Sequence, residues 1–285
     1  MAKSSFWDFK FFLDDLFFEV VNHILKVIFY LKRVIGKNSF MKKNKILKDI
    51  YNNKRVFIVG NGPSIKKQDL RLLKNEITFF VNRAYKHPDY AYIKPTYHVF
   101  VDPKLASGEW EITMLDEVHA KNEDVIFLLN AKWYYLEKFE PYKKDKRYKI
   151  YWLNTSLFFT SYYKNRKIDL TKITYGSAVI GQAIFSSIYM GAKEIYLLGV
   201  ESNAFCHEMV NQESHFYGGN PENRNKTVEV IYKELYHNYV YIKHLFYLGK
   251  FSETQNYTIY NCTIGGILDM FKRKKYEELF DDNKS

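Results

Sequence analysis

The residues best suited to chemistry in this sequence form a tight turn directly after an apolar run. Val56–Val59 predicts a buried strand, and the turn that follows it consists of Gly60, Asn61, Gly62, Pro63 and Ser64. Glycines let a backbone pass closely beneath a ligand, the proline stiffens the turn, and the serine can cap a helix whose amides face an anion. The turn therefore predicts a cradle for a nucleotide phosphate or ribose, with a plain strand-to-helix turn as the alternative.

Polar residues also follow two further apolar runs. Asn82 comes directly after Val81, and Asp102 directly after Val101. Ligands of open α/β sheets bind outside the carboxyl ends of the strands, so both side chains are expected beside the turn. Asn82 can donate to and accept from a base or a sugar hydroxyl. Asp102 can accept from an acceptor hydroxyl, although a structural aspartate in a turn before proline is an equally good interpretation.

Short apolar runs alternate with helical or polar stretches along most of the chain. This alternation predicts an α/β fold with a doubly wound, mostly parallel, Rossmann-like sheet. A polar loop at Glu201–Asn225 is long enough to be a lid. Helices are expected at Ser177–Met190 and from Lys226 to about Tyr247. The strand candidates are Val56–Val59, Ile77–Val81, Tyr97–Val101, Val125–Leu129, Tyr148–Trp152, Ile195–Leu198 and Thr258–Asn261.

The beginning of the chain carries apolar side chains at helical spacing, followed by a basic cluster from Lys32 to Lys45. Such an amphipathic helix can lie on an anionic cytoplasmic leaflet. It can also pack on the main domain or on a second subunit, which amphipathic helices do more often. The sequence leaves these alternatives open. The apolar residues are Phe6, Trp7, Phe11, Phe12, Leu16, Phe17, Phe18, Val21, Ile24, Leu25, Ile28 and Phe29.

The composition limits the classes of partner and the location. The 285 residues carry a formal net charge of +11, which favours phosphates, acidic sugars or lipid headgroups as partners. No nucleic-acid-binding motif accompanies the charge, so no nucleic-acid partner is expected. Cys206 and Cys262 are far apart and indicate a reduced, cytoplasmic setting. No apolar run reaches the roughly 18 residues of a membrane span. Peripheral association with the inner face of the cytoplasmic membrane therefore rests on the N-terminal segment alone.

Several segments, taken in order, resemble the sialyltransferases of glycosyltransferase family 42. The same segments resemble the MptE-like (hydroxymethylpterin-pyrophosphokinase-like) bacterial domains, many of which are found among polysaccharide genes. The resemblance covers roughly residues 55–220, and it implies a CMP-sugar donor, a GT-A-like variant of the α/β fold and no divalent metal. Its segments are Val59–Ser64, Val81-Asn82, Val101-Asp102-Pro103 and Lys172-Ile173-Thr174-Tyr175-Gly176, continuing to Ala192–Glu201.

The resemblance also implies roles for individual residues. Asn61 and Ser64 would contact the nucleotide or its phosphate, and Asn82 would meet the cytidine end. A later segment would hold the donor, and it begins with Thr174, Tyr175, Gly176 and Ser177.

The chain departs from the sialyltransferases where the chemistry is expected. Asp102 stands in place of their asparagine, and Lys172–Gly176 in place of Arg-Ile-Thr-Ser-Gly. Their Ser-His-Tyr-x-Gly-His segment, whose last histidine is the general base, is here Ser214–Gly219, without the second histidine.

His215 is therefore the candidate base on chemical grounds. An imidazole with an ordinary pKa of about 6.5 can take a proton from a sugar hydroxyl at neutral pH. Glu201 or Asp102 can orient His215 or replace it, and a histidine that only packs in the loop is the alternative. Tyr217 can donate to the leaving phosphate, as tyrosines do in the resembled enzymes, in place of a metal. No metal ligand and no cofactor are expected.

These observations predict a metal-independent glycosyltransferase. Its donor would be a CMP-linked sialic acid or related acid sugar, and its acceptor a bacterial surface glycan such as lipooligosaccharide or capsule. Two alternatives are an MptE-like pyrophosphokinase, which transfers diphosphate from ATP to a pterin alcohol, and a non-catalytic nucleotide-binding protein. Residues 1–50 would be the helical basic segment, and residues 51–285 the catalytic domain with its lid at about 201–225. Homo-oligomerisation is left open.

Overall fold

The computed structural model describes residues 6–162, 167–176, 178–209, 212–219 and 226–284. Within these residues one sheet contains nine strands. They are β1 (Arg55–Val59), β2 (Ile77–Val81), β3 (Tyr97–Phe100), β4 (Ile126–Asn130), β5 (Lys149–Leu157), β6 (Ile173–Tyr175), β7 (Glu194–Leu198), β8 (Thr258–Asn261) and β9 (Lys272–Arg273).

The sheet is wound in two directions from its first strand. The strand order is β6-β5-β4-β3-β2-β1-β7-β8-β9, so β1 pairs with β2 on one side and with β7 on the other. Each neighbouring pair is parallel. This arrangement confirms the predicted doubly wound, Rossmann-like α/β fold. It also creates a topological switch point between β1 and β7, where sheets of this kind bind ligands.

Helices and short 3-10 turns connect the strands on both faces of the sheet. The α-helices are α1 (Phe6–Val34), α2 (Tyr90–Ile93), α3 (Pro103–Ser107), α4 (Met114–Lys121), α5 (Glu140–Lys144), α6 (Ala178–Tyr189), α7 (Ala204–Met209) and α8 (Val228–Ser252). The 3-10 segments are Ser39–Leu47, Pro63–Lys67, Leu70–Leu73, Asn82–Lys86, Ala131–Trp133, Glu137–Phe139 and Glu277–Lys284.

The continuous apolar character of β1 follows from burial on both faces of the sheet. Because successive side chains of a strand point to opposite faces, Val56 and Ile58 enter one core while Phe57 and Val59 enter the other. The first core is shared with α6 and α8, and the second with α2 and α4. A strand covered on both sides cannot alternate polar and apolar residues, which is why the run was recognisable in the sequence.

Most of the predicted elements are present with small shifts at their ends. Seven strand candidates became β1 to β5, β7 and β8, and the two later helices became α6 and α8. The sequence did not predict β6 or β9 as strands. β6 has only three residues, and β9 consists of two charged, exposed residues, so neither carries a readable periodicity. The division of the chain at residue 50 stays a prediction.

The N-terminal helix packs on the protein body with its polar side. Asp15, Glu19 and Asn22 are buried, together with Phe18 and Phe29. Most of the predicted apolar stripe is exposed. The helix therefore packs on the main domain, while contact of its apolar stripe with a membrane or with a second subunit stays a prediction. Among the described helices, none has the length and apolarity that a bilayer span requires.

Candidate active site

A cavity of about 420 Å³ lies at the carboxyl ends of the central strands. Its walls come from the loops after β1, β2, β3 and β7, from the start of α6 and from one side of α8. Eight of the residues predicted for the site line it: Gly60, Asn61, Gly62, Asn82, Asp102, Glu201, His215 and Tyr217. The cavity therefore occupies the switch point between β1 and β7.

Other predicted residues lie outside this cavity wall. Pro63 and Ser64 begin the 3-10 segment after the turn, and Thr174, Tyr175 and Gly176 belong to or follow β6. Thr174 and Tyr175 are buried in the protein. Ala178, Val179 and Ile180 of α6 line the cavity in their place. Ser177 lies outside the described residues.

The two glycines of the first turn are required by a second loop that passes beside them. The Gly60 and Gly62 amides donate to the carbonyl oxygens of Leu198 and Gly199, each over 2.8 Å. A β-carbon on Gly60 would overlap the Gly199 carbonyl, and one on Gly62 would overlap the Glu201 carboxylate. The turn thus fits against the loop after β7 only when both positions lack side chains.

An acidic side chain of the protein itself bonds to this turn. Glu201 is buried, and its Oε1 accepts a hydrogen bond from the Ser64 amide over 2.7 Å. The prediction that Ser64 caps a helix is wrong, because Gly62 occupies the cap position of the 3-10 segment and no side chain caps it. The Ser64 amide is therefore committed to a carboxylate of the chain itself.

Three buried oxygen atoms on residues of the cavity wall lack a hydrogen-bond partner within the described part of the chain. They are Oδ1 of Asn61, Oδ1 of Asn82 and Oε2 of Glu201. An unsatisfied buried polar atom costs about 1–3 kcal/mol, so such atoms usually meet a ligand or ordered water. Their grouping around one cavity indicates a site that binds a polar molecule.

Asn82 is held in an uncommon backbone conformation by a buried histidine. Its φ is 46°, in the left-handed region that asparagine tolerates better than most residues. Its carbonyl oxygen accepts from Nε2 of His98 over 2.7 Å, and Nδ1 of His98 lies 2.8 Å from the Tyr90 hydroxyl. Burial lowers the pKa of His98 to about 3. The ring is therefore neutral, with Nε2 donating and Nδ1 accepting, and sequence reasoning had missed both His98 and Tyr90.

The candidate base lies on a short segment fixed to the first turn. The Phe216 amide donates to the Asn61 carbonyl oxygen over 2.8 Å. His215 Nδ1 lies 2.8 Å from the Ser214 hydroxyl, and the His215 ring stacks on Tyr217 with centroids 5.1 Å apart. This arrangement places His215 and Tyr217 together at the cavity wall. Part of the predicted lid, residues 210, 211 and 220–225, lies outside the described residues.

Asp102 has a structural contact as well as a place in the cavity wall. Its Oδ1 accepts from the Lys104 amide over 3.0 Å, which caps the start of α3. Burial raises the pKa of the Asp102 carboxyl. The turn interpretation of Asp102 is therefore confirmed, and its role in catalysis stays a prediction.

One face of α8 completes the cavity, although no motif in the sequence pointed to it. Glu234, His237, Asn238 and Tyr241 recur at the three- and four-residue spacing of one helix face. Lys226 pairs with Glu234 over 2.7 Å, and the Tyr241 and Ser202 hydroxyls lie 3.0 Å apart. The spacing was visible in the sequence, but nothing local to it indicated which surface this face would meet.

The described residues contain no cluster of three or more His, Cys, Asp or Glu side chains that could hold a metal ion. Two lysines, Lys104 and Lys226, lie in the cavity wall instead. These cations can attract a phosphate-bearing ligand.

Comparisons with known proteins agree with part of the resemblance read from the sequence. A family model described as 6-hydroxymethylpterin diphosphokinase MptE-like matches residues 32–204. Among solved structures, the MAf glycosyltransferase from Magnetospirillum magneticum AMB-1 is similar, with 13% identity and a TM-score of 0.48. That match covers 84% of this chain and 38% of that chain. No curated protein matches the sequence. The likeness to MptE-like domains is confirmed, and the likeness to family 42 sialyltransferases stays a prediction.

Proposed function

We propose that this chain, which belongs to the MptE-like family, is a glycosyltransferase that uses a nucleotide-sugar donor. The donor would lie at the switch point between β1 and β7. Its polar groups would satisfy the side-chain oxygens of Asn61 and Asn82, which lack partners within the described chain. Lys104 and Lys226 would face its phosphate.

The observation that carries the proposal is the position of His215 relative to the two carboxylates of the cavity wall. Oδ1 of Asp102 and Oε1 of Glu201 each accept a hydrogen bond from a backbone amide, so one oxygen of each carboxyl group holds a loop. His215 sits at the same cavity on a segment bonded to Asn61. Metal-assisted phosphoryl transfer relies on several carboxylates for its cation, and the described residues offer no cluster of three or more such ligands, so the arrangement favours proton transfer by an imidazole.

The proposed reaction is a displacement at the anomeric carbon of the donor sugar. The acceptor hydroxyl oxygen forms a bond to that carbon, and the bond from the carbon to the phosphate oxygen breaks. The electron pair of the broken bond leaves with the nucleotide, and His215 takes the proton of the hydroxyl. Tyr217, stacked on His215, would donate a hydrogen bond to the leaving phosphate. No metal ion takes part in this scheme.

The finer assignment concerns the donor and acceptor. A CMP-linked sialic acid or related acid sugar as donor is supported by the sequence resemblance to family 42. The net charge of +11 suits acidic sugars and phosphorylated glycans. A bacterial surface glycan, lipooligosaccharide or capsule, is the acceptor class proposed with it.

Binding and turnover measurements in the presence of EDTA test the proposal. A thermal-shift panel of CMP, UDP, GDP and ADP ligands is expected to show the largest rise in melting temperature with CMP compounds, because a ligand that binds only the folded state stabilises it. Transfer or hydrolysis of a CMP-sugar is expected to persist in EDTA. Stronger stabilisation by another nucleotide would assign that nucleotide to the donor in place of CMP. Loss of all turnover in EDTA would contradict the metal-independent mechanism.

The family description favours a second candidate, a diphosphokinase. Such an enzyme would transfer diphosphate from ATP to the hydroxyl of a pterin alcohol and release AMP. Phosphoryl transfer of this kind uses Mg²⁺, so AMP formation would require the cation and stop in EDTA. Nucleotide binding without any turnover would instead identify a non-catalytic binding protein.

A further inference from the structure

The outward side of α1 is a continuous apolar stripe. At about 100° per residue, its members fall within roughly one third of the helix circumference. Each is at least 45% exposed, far more than an apolar side chain in a packed interface of the monomer. The outward stripe consists of Phe6, Phe9, Leu13, Leu16, Phe17, Val20, Ile24, Val27, Leu31, Val34 and, just beyond the helix, Ile35.

The inward side of the same helix carries polar side chains that are bonded to the protein body, beside the buried Phe18 and Phe29. Asp15 pairs with Lys243 of α8 over 2.7 Å, with both side chains buried. The Asn22 side chain donates to the Phe158 carbonyl oxygen and accepts from the Phe158 amide, each over 2.8 Å. Glu19 accepts from the Thr160 hydroxyl. These contacts fix the rotation of α1, so the apolar stripe faces outward because the polar residues are held inside.

Charges around the stripe indicate what covers it. Lys10 and Lys32 are exposed on α1, and Lys37, Lys42 and Lys45 are exposed directly after it. A second copy docked on the stripe would bring two sets of these lysines to one interface, in a chain whose net charge is already +11. An anionic lipid surface instead satisfies the apolar side chains and the lysines together.

We propose that α1 binds the surface of an anionic membrane, with its apolar stripe in the interface between headgroups and acyl chains. Only one face of α1 is available, because the opposite face is bonded to the body along much of its length. The helix would therefore lie in the plane of the membrane over about 43 Å. Trp7 and Tyr30, both exposed, are residue types that suit the membrane–water interface.

The helix α8 connects this surface to the cavity. Tyr239, Lys243 and Tyr247 of α8 contact acidic residues of α1, while His237 and Tyr241 of the same helix line the cavity. In a protein bound through α1, only the helix α8 would thus separate the membrane-bound helix from the cavity. Resting on the proposed function, this placement favours an acceptor glycan carried by a lipid; membrane binding itself does not depend on that function.

Vesicle co-sedimentation without any substrate tests the proposal. The full chain is mixed with vesicles of phosphatidylcholine alone or with phosphatidylglycerol added. The wild-type protein is expected to bind the anionic vesicles at least tenfold more tightly than the neutral ones. The triple substitution Val20→Gln, Ile24→Gln and Val27→Gln, which changes one face of α1, is expected to weaken binding at least tenfold. Circular dichroism and thermal melting verify that the variant is folded.

A matched triple substitution of exposed residues outside α1, namely Leu72→Gln, Leu136→Gln and Ile264→Gln, is expected to leave vesicle binding unchanged. Failure of the wild-type chain to bind anionic vesicles would overturn the proposal, as would equal binding by wild type and the α1 variant. Light scattering tests whether a second copy of the chain covers the stripe instead of a membrane. A wild-type dimer that becomes monomeric in the α1 variant, without vesicle binding, would assign the stripe to a second copy and refute the membrane.

Discussion

The backbone amide of Phe216 donates to the carbonyl oxygen of Asn61 over 2.8 Å. This hydrogen bond joins the segment that carries His215 to the turn predicted to hold the nucleotide. The Phe216 ring is buried, and its centroid lies 5.5 Å from that of His87. One main-chain hydrogen bond and one buried ring thus fix the candidate base relative to the donor site.

Replacing Phe216 by alanine is expected to loosen residues 214–218 without unfolding the sheet. The backbone bond to Asn61 can still form, but the buried ring that anchors the segment is lost. Amide hydrogen exchange in this segment is expected to become at least tenfold faster, and the rate of sugar transfer to fall. Phe246→Ala removes a half-exposed ring on α8 and serves as the control. Unchanged exchange in residues 214–218 would show that the ring does not anchor them.

Replacing His215 by glutamine is expected to lower turnover by about two to four orders of magnitude, because general-base catalysis contributes about that much. Donor binding, measured by calorimetry, is expected to change less than twofold, since Asn61 and Asn82 remain. His207→Gln alters a histidine absent from the described cavity wall and is the matched control. A normal rate in the His215 variant would transfer the role of base to Asp102 or Glu201.

Substitutions of Asp102 separate its structural contact from catalysis. Asp102→Asn keeps an oxygen that can accept from the Lys104 amide, so stability and turnover are both expected to stay close to wild type. Asp102→Ala removes the cap of α3 and is expected to lower the free energy of unfolding by about 1 kcal/mol. Urea unfolding and a transfer assay measure the two effects. A hundredfold loss of rate in Asp102→Asn, with its stability unchanged, would identify Asp102 as catalytic.

Gly62→Ala is expected to lower the free energy of unfolding by about 2–4 kcal/mol. The added methyl group would overlap the buried Glu201 carboxylate and disturb its hydrogen bond to the Ser64 amide. Gly181→Ala is a useful contrast. Gly181 lies in α6 with open space where a β-carbon would sit, so alanine there is expected to stabilise the protein by about 0.5–1 kcal/mol. Equal effects of the two substitutions in urea unfolding would contradict the close fit at Gly62.

The sequence predicted the sheet and much of the cavity for the same physical reason. A parallel strand covered on both faces must be apolar throughout, so the first polar residue beyond the run marks its carboxyl end, as Asn61, Asn82 and Asp102 do. Parallel carboxyl ends share one edge of the sheet, and these residues therefore come together. The contacts that each side chain makes were harder to predict from the sequence. The engagement of Glu201 with the Ser64 amide depends on contact between two loops that are 137 positions apart in the sequence.

Helix orientation was the part of the structure that local pattern could not supply. The periodicity of α1 indicates an amphipathic helix, but it does not state which side meets the protein. Asp15 is buried because Lys243, a residue from the other end of the chain, neutralises it. The cavity-lining side of α8, with His237 and Tyr241, was equally hidden, because its position depends on where the helix docks on the sheet.

Two buried histidines are expected to make the protein less stable at acid pH. Burial lowers the pKa of His98 and of His244 to about 3, compared with about 6.5 in the unfolded chain. Below pH 6.5 these histidines bind protons in the unfolded state but stay neutral in the folded state. The free energy of unfolding is therefore highest above about pH 7 and decreases as the pH falls towards 3. At pH 5 each histidine is expected to lower the free energy of unfolding by about 2 kcal/mol, which is 1.36 kcal/mol for each of about 1.5 pH units.

Urea unfolding at pH 7.5 and pH 5 measures this dependence. His98→Asn removes one titrating group and is expected to reduce the stability difference between the two pH values by about half; adding His244→Asn is expected to remove most of the rest. Both variants lose buried hydrogen bonds and will be less stable at every pH, since His98 bonds to the Asn82 carbonyl and His244 accepts from the Phe159 amide. The difference between pH values is therefore the decisive quantity. If the double variant kept the full pH dependence of the wild type, other groups, such as the buried His87 or the carboxylates, and not these two imidazoles would be its source.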